Sequence, residues 1–439
     1  MKIVCLGLVV LISGGPVCGA DPKPALRVLR DECFGCHKAG KAKGGLLLTN
    51  REKMLAGGDS GVVITPGKAT ESLLYQTLQP DADDHMPPKK QLSEKDIASV
   101  KDWIDAGAVW DATVFDEPPQ VKPVKLVSMA KTYAPVLALA SSPDGKWLAV
   151  ARADHVDLHD LSKPDHPKAQ QFAGMDSPVQ ALAWTKDGKH LLASGFRRLL
   201  QWEVGSGKET GRLEAGLIGS ITALACSPDG TTLFAADGET GGLGFIHRLT
   251  MNPLKVGRTW KAHDDNINAL VVSQDGQSLA SAGADKMARL WKTSDGSLVT
   301  FYEGHTNHVV AVALNQDASQ IATAGADREV KVWDVKSRNQ DAILGDKKTA
   351  FTALYWTPDG KSLAAANEKG AVLIYTELQK HTGAQRSDAA KEKRLASAPS
   401  MLVSLSVTND SKTVYAGDFA GNVHVWDIAA GKETGLIKP

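Results

Sequence analysis

The chain is short of cysteine, aromatic rings and net charge, and each shortage excludes something. Among 439 residues there are five cysteines: Cys5, Cys18, Cys33, Cys36 and Cys226. Two fall within residues 1–20, and Cys226 stands alone in the apolar run Ala223-Leu224-Ala225-Cys226, as an inert core thiol does. Only Cys33 and Cys36 are neighbours, so no cysteine pair remains for a structural disulfide. Basic and acidic residues number 50 each, and no bulk field draws the chain to nucleic acid or to an anionic membrane surface. The apolar run at residues 3–12 is well short of the ~20 residues that span a bilayer. Aromatics are 6% of the chain, whereas glycine is abundant at 41, which suits many short strands joined by tight turns.

What is present begins with residues 1–20, which read as a secretory signal. Lys2 supplies the positive start, Pro16 breaks the apolar run, and Cys18-Gly19-Ala20 offers small residues at the cleavage positions. Gly15-Pro16-Val17 fits a lipoprotein signal poorly. The expectation is an exported protein, on the periplasmic or cell-envelope side, with no integral membrane span after cleavage.

The chemistry concentrates in Cys33-Phe34-Gly35-Cys36-His37. Two thiols two residues apart add across the vinyl groups of a haem, and the adjacent imidazole reaches the iron as proximal ligand. A redox pair of the same spacing would sit in a βαβ context, which is missing. A zinc site would need two more ligands at motif spacing, and none follows. The reading is therefore one covalent haem c, held by Cys33 and Cys36 and ligated by His37. Residues 24–30 form a short helix ahead of the motif, and Glu71 to Leu78 a second, with Thr70 as its cap. The last helix is capped by Ser93, carries Ile97, Val100 and Ile104 at helical spacing, and stops at Gly107. Between them lies His85-Met86-Pro87-Pro88. A thioether sulfur in a rigid proline loop is suited to be the distal ligand, which closes the iron to other ligands and raises its potential. His85 is the rival for that position, and a methionine that merely fills a gap is the bland alternative.

These residues resemble the planctomycete-type cytochrome c domain. The resemblance rests on Cys33 to His37, Gly44-Gly45-Leu46 leading to Arg51-Glu52, Gly57-Gly58-Asp59-Ser60-Gly61, and Pro66-Gly67 ahead of Glu71-Ser72-Leu73-Leu74. Met86-Pro87-Pro88, Leu92-Ser93 and Trp103-Ile104-Asp105-Ala106-Gly107-Ala108 complete it. It implies a small all-α cytochrome c domain over residues 21–111, with His37 and Met86 as axial ligands and electron transfer as its role.

Residues 112–124 are charged and proline-rich and read as a semi-rigid linker. From residue 125 to 439 the chain repeats. A turn centred on an aspartate precedes a short apolar strand, and these aspartates fall at 144, 187, 229, 275, 317, 359 and 410. Five intervals lie between 42 and 46 residues, and the last is longer because Gln379 to Ser400 is read as an inserted polar loop. Seven units of about four strands predict a seven-bladed β-propeller.

The units resemble WD repeats, with Trp333-Asp334 and Trp426-Asp427 giving the name motif. His263, Ser281, Asp285 and Trp291 are spaced like His305, Thr323, Asp327 and Trp333. The resemblance implies that each set forms a buried hydrogen-bond tetrad and not a hydrolase triad, because it recurs blade by blade. Ala420 takes the tetrad aspartate's place in the seventh blade, which should be looser for it. Two ways of closing the ring stay open. The segment Gly431-Lys432-Glu433-Thr434-Gly435-Leu436 completes its own blade, or Val124-Lys125-Leu126-Val127-Ser128-Met129 supplies that blade's outer strand.

Taken together, the sequence favours an electron-transfer or binding protein over a catalyst. The propeller is then a platform for a redox partner or another docked protein. The alternatives are a haem-based sensor or scaffold, and an oxidoreductase subunit whose propeller holds a cofactor with no legible motif.

Overall fold

The computed structural model describes residues 21–38, 41–88, 90–117, 135–239, 241–345, 347–378 and 390–439. The expected signal (residues 1–20), most of the expected linker and the segment Val124 to Met129 lie outside them. The chain divides into two compact units, before and after the boundary between residues 119 and 120.

The first unit is assembled from short helices. Helix α1 (Lys23–Val28) runs directly into a π-helical turn, Leu29–Cys33, and buries Ala25, Leu26, Val28 and Leu29. Helix α2 (Arg51–Ala56) is capped by the Asn50 side chain, which accepts from Lys53 N at 3.1 Å. The helix expected from Glu71 to Leu78 is broken in two. A 3₁₀ turn, Ala69–Glu71, is followed by α3 (Leu73–Gln76), and Ser72 between them is extended. The cause is Ser72 itself. Its buried hydroxyl donates to Lys68 O at 2.9 Å and accepts from Thr65 N at 2.9 Å. Such local bonds offer the backbone an alternative to the helix.

Helix α4 (Glu94–Asp105) begins as expected, with Ser93 Oγ accepting from Asp96 N at 3.2 Å. It stops at Gly107, whose φ of 94° is a conformation that L-residues avoid. There Gly107 N donates to Ile104 O and Ala108 N to Trp103 O, both at 2.9 Å. The four elements close on one core that includes Leu26, Leu29, Met54, Val100, Trp103 and Ile104. Each such side chain, fully buried, contributes about 2 kcal/mol. The unit also holds a two-residue ladder, His37–Lys38 with Lys41–Ala42. Its regular structure is thus short helices and turns with one small ladder, and the expected all-α domain is seen only in part.

The second unit is a seven-bladed β-propeller of four-stranded antiparallel sheets, each built from consecutive strands. Blades 1 to 7 occupy residues 139–172, 181–213, 220–263, 267–302, 309–344, 351–394 and 402–437. The repeated aspartate shapes the turn that joins the first two strands of every blade. Asp144, Asp187, Asp229, Asp275, Asp317, Asp359 and Asp410 each accept the N–H two residues on, at 3.0–3.1 Å. Small residues on the second strands, such as Ala280 and Ala282, Ala322 and Ala324, or Ala364 to Ala366, are buried where neighbouring blades meet.

Two expectations are settled here. The segment read as an inserted loop contains the outer strand of blade 6, Lys391–Arg394, which pairs with Val372–Thr376. Its run of charges hid it, because an outer strand packs against one neighbour and has no apolar alternation to show. Blade 7 is completed by its own C-terminal strand, Lys432–Ile437, paired with Val423–Asp427. The seam with blade 1 is closed by side-by-side contacts. Val136 N donates to Asp418 O at 3.1 Å, Ser404 Oγ donates to Val136 O at 2.6 Å, and Ser141 and Ser406 share a hydroxyl bond of 2.8 Å. Arg152, buried in blade 1, donates to Gly421 O.

Candidate functional site

The motif sits where α1 gives out. The π turn ends with Phe34 N donating to Leu29 O at 3.0 Å, and Cys36 N then donates to Cys33 O at 3.1 Å. The loop beyond is held by backbone bonds: Lys43 N to Cys36 O at 3.1 Å and Leu48 N to His37 O at 2.9 Å. Cys33 and Phe34 pack against the apolar core. Burial, then the charge of Glu32, then Cys36, pushes the Cys33 thiol up to about 12. A thiol so placed stays protonated at neutral pH and is a poor redox nucleophile. Both cysteines are unpaired in this structure.

His37 Nδ1 is buried and has no hydrogen-bond partner. Met86 is 39% exposed, one of few large apolar side chains so open to solvent. Its backbone is fixed, with Met86 N donating to Thr77 O at 2.8 Å. His85, the rival ligand, is engaged: Nε2 lies 2.8 Å from Gln91 Oε1, and Gln91 Nε2 donates to Leu78 O at 3.2 Å. An ion pair between Lys90 and Glu32 brings the segment that follows Met86 against the residue that precedes Cys33. The side chains that would hold a haem c are thus two thiols, a histidine with an orphaned nitrogen and an exposed thioether. That donor set fits the group. Among the described residues, no three His, Cys, Asp or Glu side chains converge as a metal site.

Sequence reasoning missed the supports behind the motif. Arg30, buried three residues before Cys33, donates from Nη1 to Val114 O at 2.8 Å and to Glu117 O at 2.7 Å. Arg27 reaches Glu117 at 2.7 Å, and Phe34 packs on Phe115 with ring centroids 5.2 Å apart. These contacts join residues more than 80 apart, and no local pattern announces them.

The propeller tetrads form as the spacing implies. In blade 4, Trp291 Nε1 donates to Ser281 Oγ at 2.9 Å, Ser281 Oγ lies 2.7 Å from His263 Nε2, and His263 Nδ1 lies 2.9 Å from Asp285. Blade 5 repeats this through Trp333, Thr323, His305 and Asp327, at 2.9 Å for each link. Burial lowers the affinity of His263 and of His305 for a proton, against the pull of the aspartates. Burial pushes the Asp285 carboxyl up, but His263 and Arg289 outweigh it and hold the group below the ordinary carboxylate range. Within these two tetrads every indole, hydroxyl, imidazole and carboxylate group is hydrogen-bonded, as a structural element is.

Blade 7 lacks the tetrad aspartate and has a substitute. Asp418 and His424 are buried and lie 3.3 Å apart, and His424 Nδ1 meets Glu433 at 2.7 Å. Blade 3 has the same pair, Asp237 and His247, at 3.1 Å, with Asp237 accepting from Gly219 N at 2.7 Å. The Trp426 indole N–H, with no hydroxyl to meet, is unpartnered.

Comparison with known proteins agrees with this division. Residues 33–90 match the planctomycete cytochrome C family, and residues 254–292 and 296–334 match the WD domain, G-beta repeat family. The chain is 28% identical over 170 residues to a target of rapamycin complex subunit of Schizosaccharomyces pombe, covering 37% of this chain and 52% of that protein. It is 22% identical over 225 residues to a serine-threonine kinase receptor-associated protein of Gallus gallus, covering 43% and 61%. It is 30% identical over 169 residues to the LST8 homolog of Drosophila pseudoobscura pseudoobscura, covering 36% and 52%. The chain thus spans only about half to three fifths of the length of these relatives.

Proposed function

We propose that this protein is an exported cytochrome with a single haem c that transfers electrons, and that its propeller is the platform on which a protein partner docks. The observation that carries the reading is Cys33-Phe34-Gly35-Cys36-His37, inside a segment matched to a cytochrome family. Cys33 and Cys36 would form the thioethers, His37 would be the proximal ligand and Met86 the distal one. Haem supplies a one-electron couple, and a thioether ligand raises its potential and closes the iron. Met86 is preferred to His85 because its thioether is exposed, whereas His85 Nε2 is engaged by Gln91. The all-α cytochrome c fold, with boundaries at residues 21–111, and the periplasmic or cell-envelope location belong to the same proposal. The WD relatives, two of them named as a complex subunit and a receptor-associated protein, support the docking role.

The test is expression in a host that attaches haem c, followed by denaturing electrophoresis stained for haem and a reduced-minus-oxidised spectrum. One covalent haem per chain is expected. Covalent haem that survives the double variant Cys33→Ala/Cys36→Ala, or a wild-type chain that takes up none, overturns the reading.

A further inference from the structure

A cleft of about 730 Å³ opens on the propeller between blades 2 and 3, far in sequence from the cysteine motif. Blade 3 creates it. Its third and fourth strands, Gly244–Met251 and Leu254–His263, have 8 and 10 residues, against four to six in the other blades. Their turn therefore reaches the outer strand of blade 2, Glu209–Leu213. Gly211 leaves room for that approach. A Cβ at this position would lie 3.3 Å from both Leu254 Cβ and Gln201 Oε1.

Gln201 lies at the base of the cleft. It is 7% exposed, and its Oε1 has no hydrogen-bond partner. Buried amide oxygens are ordinarily matched by a donor, so this one is suited to a donor from outside the chain. Most other polar groups around it are engaged. Asp229 accepts from Ser227 and Thr231 with its two oxygens, and Thr210 Oγ1 donates to Gln201 O at 3.4 Å. Arg212 is held by Glu209 at 2.8 Å and by Glu214 at 2.9 Å. Asp187 Oδ1 accepts from Thr185 Oγ1 at 2.7 Å and from Lys189 N at 3.0 Å, which leaves Oδ2. Among the described residues, Lys186 is exposed and in no ion pair, and the His190 ring and the Asn252 amide have no hydrogen bond.

The lining thus holds two cations, Lys186 and Arg212, against two carboxylates, Asp187 and Asp229. A ligand that suits it is neutral overall. It brings a donor for Gln201 Oε1 and Asp187 Oδ2, an acceptor for Lys186, and an apolar part for Met251 and Leu254. No Trp, Tyr or Phe lines the cleft, so a sugar ring has no aromatic face to stack on. A small zwitterion meets every requirement, and the volume is that of a small-molecule site.

We infer that this cleft binds a free α-amino acid with an apolar side chain. Its ammonium donates to Gln201 and Asp187, and its carboxylate meets Lys186. The inference goes beyond the docking role proposed above and does not depend on the haem.

The probe is L-leucine, titrated into the full-length chain and followed by saturation-transfer NMR at the ligand's methyl signals. A dissociation constant on the order of 1 mM is expected. N-acetyl-L-leucine, which lacks the ammonium, and L-leucinamide, which lacks the carboxylate, should each bind about fivefold more weakly. Gln201→Met, close in volume, should weaken leucine about fivefold, and Lys186→Gln about two- to fivefold. Lys186 is exposed, so its variant keeps the fold and carries the test if the thermal melt of Gln201→Met falls. Leucine that does not bind, or that binds a folded variant as well as wild type, overturns the inference. So does tighter binding of glucose or of either blocked analogue. None of these readouts uses the haem, so this inference and the haem assignment fail or stand separately.

Discussion

Glu32 and Lys90, 58 residues apart, are joined by an ion pair that ties the entrance of the cysteine motif to the exit of the Met86 loop. In sequence, His37 follows Glu32 by five residues and Met86 precedes Lys90 by four. Its carboxylate partner is one-quarter exposed and its lysine more than half exposed, so solvent screens most of its strength. Lys90→Gln should therefore cost the unit no more than ~1 kcal/mol. Its effect should show instead in the iron. The expected outcome is a faster exchange of the distal ligand, measured as a higher rate of cyanide binding to the ferric protein. A rate equal to wild type rules out a positioning role for the pair.

Met86→Ala removes the proposed distal ligand. Loss of the sulfur–iron absorption band at the red end of the ferric spectrum is expected, together with carbon monoxide binding by the ferrous protein at neutral pH. His85→Ala should change neither. If the band persists in Met86→Ala, the ligand assignment is wrong. Ready carbon monoxide binding by the wild type would favour a haem-based sensor instead.

Arg30→Met keeps the packing length of the side chain and removes its hydrogen bonds. Val114 O then keeps only the bond from Glu117 N at 3.3 Å, and Glu117 O loses Arg30 at a part-buried site. A loss of about 1–3 kcal/mol is expected. Chemical denaturation followed at the haem band measures it, and the propeller's own transition should not move.

Tetrad stability should depend on pH with a definite sign. Burial lowers the folded-state pKa of His263 and His305, so the unfolded chain binds protons more readily than the folded one. Stability from these groups is fully present above the unfolded histidine value of about 6.5 and is lost as pH falls below it. The urea midpoint of the propeller should drop between about pH 7.5 and pH 5. His305→Gln should flatten that dependence while lowering the midpoint at pH 7.5. A midpoint that rises on acidification contradicts the assignment.

Asp418→Asn tests the substitute pair of blade 7. The carboxylate accepts from Asn422 N at 2.7 Å and faces His424, while Val136 N binds the same residue's carbonyl. A cost of about 1–3 kcal/mol is expected, since one buried partner is left unmatched. Hydrogen exchange should quicken at the seam between blades 1 and 7 and not at blade 4.

What the sequence discloses follows the range of the forces. The aspartate turns, the seven strand groups and the tetrad spacings are set within one blade, by bonds spanning two to 22 residues, and they are legible. So is the α4 cap, because Ser93 and Asp96 are neighbours. Ser72 breaks a helix whose apolar spacing looked continuous, since a serine's hydroxyl can bond the backbone in ways that periodicity does not register. Lys391–Arg394 was hidden because an outer strand can be charged throughout. At the motif, the residue types at 33, 36 and 37 are legible, while Arg30 and the Glu32–Lys90 bond need a fold to bring them together. The expected loosening of blade 7 gave no hint that Asp418 and His424 would fill the gap from two different positions.

The seam has a consequence for ancestry. Among the described residues each blade is built from consecutive strands, blade 7 included, and none is shared between the two ends of the ring. A gene segment copied or lost between two turns would add or remove a whole blade without cutting one in half. Such a ring can change its number of members by recombination, at the expense of a weaker clasp. Arg152, reaching across from blade 1 to the Gly421 carbonyl, is where that weakness is answered.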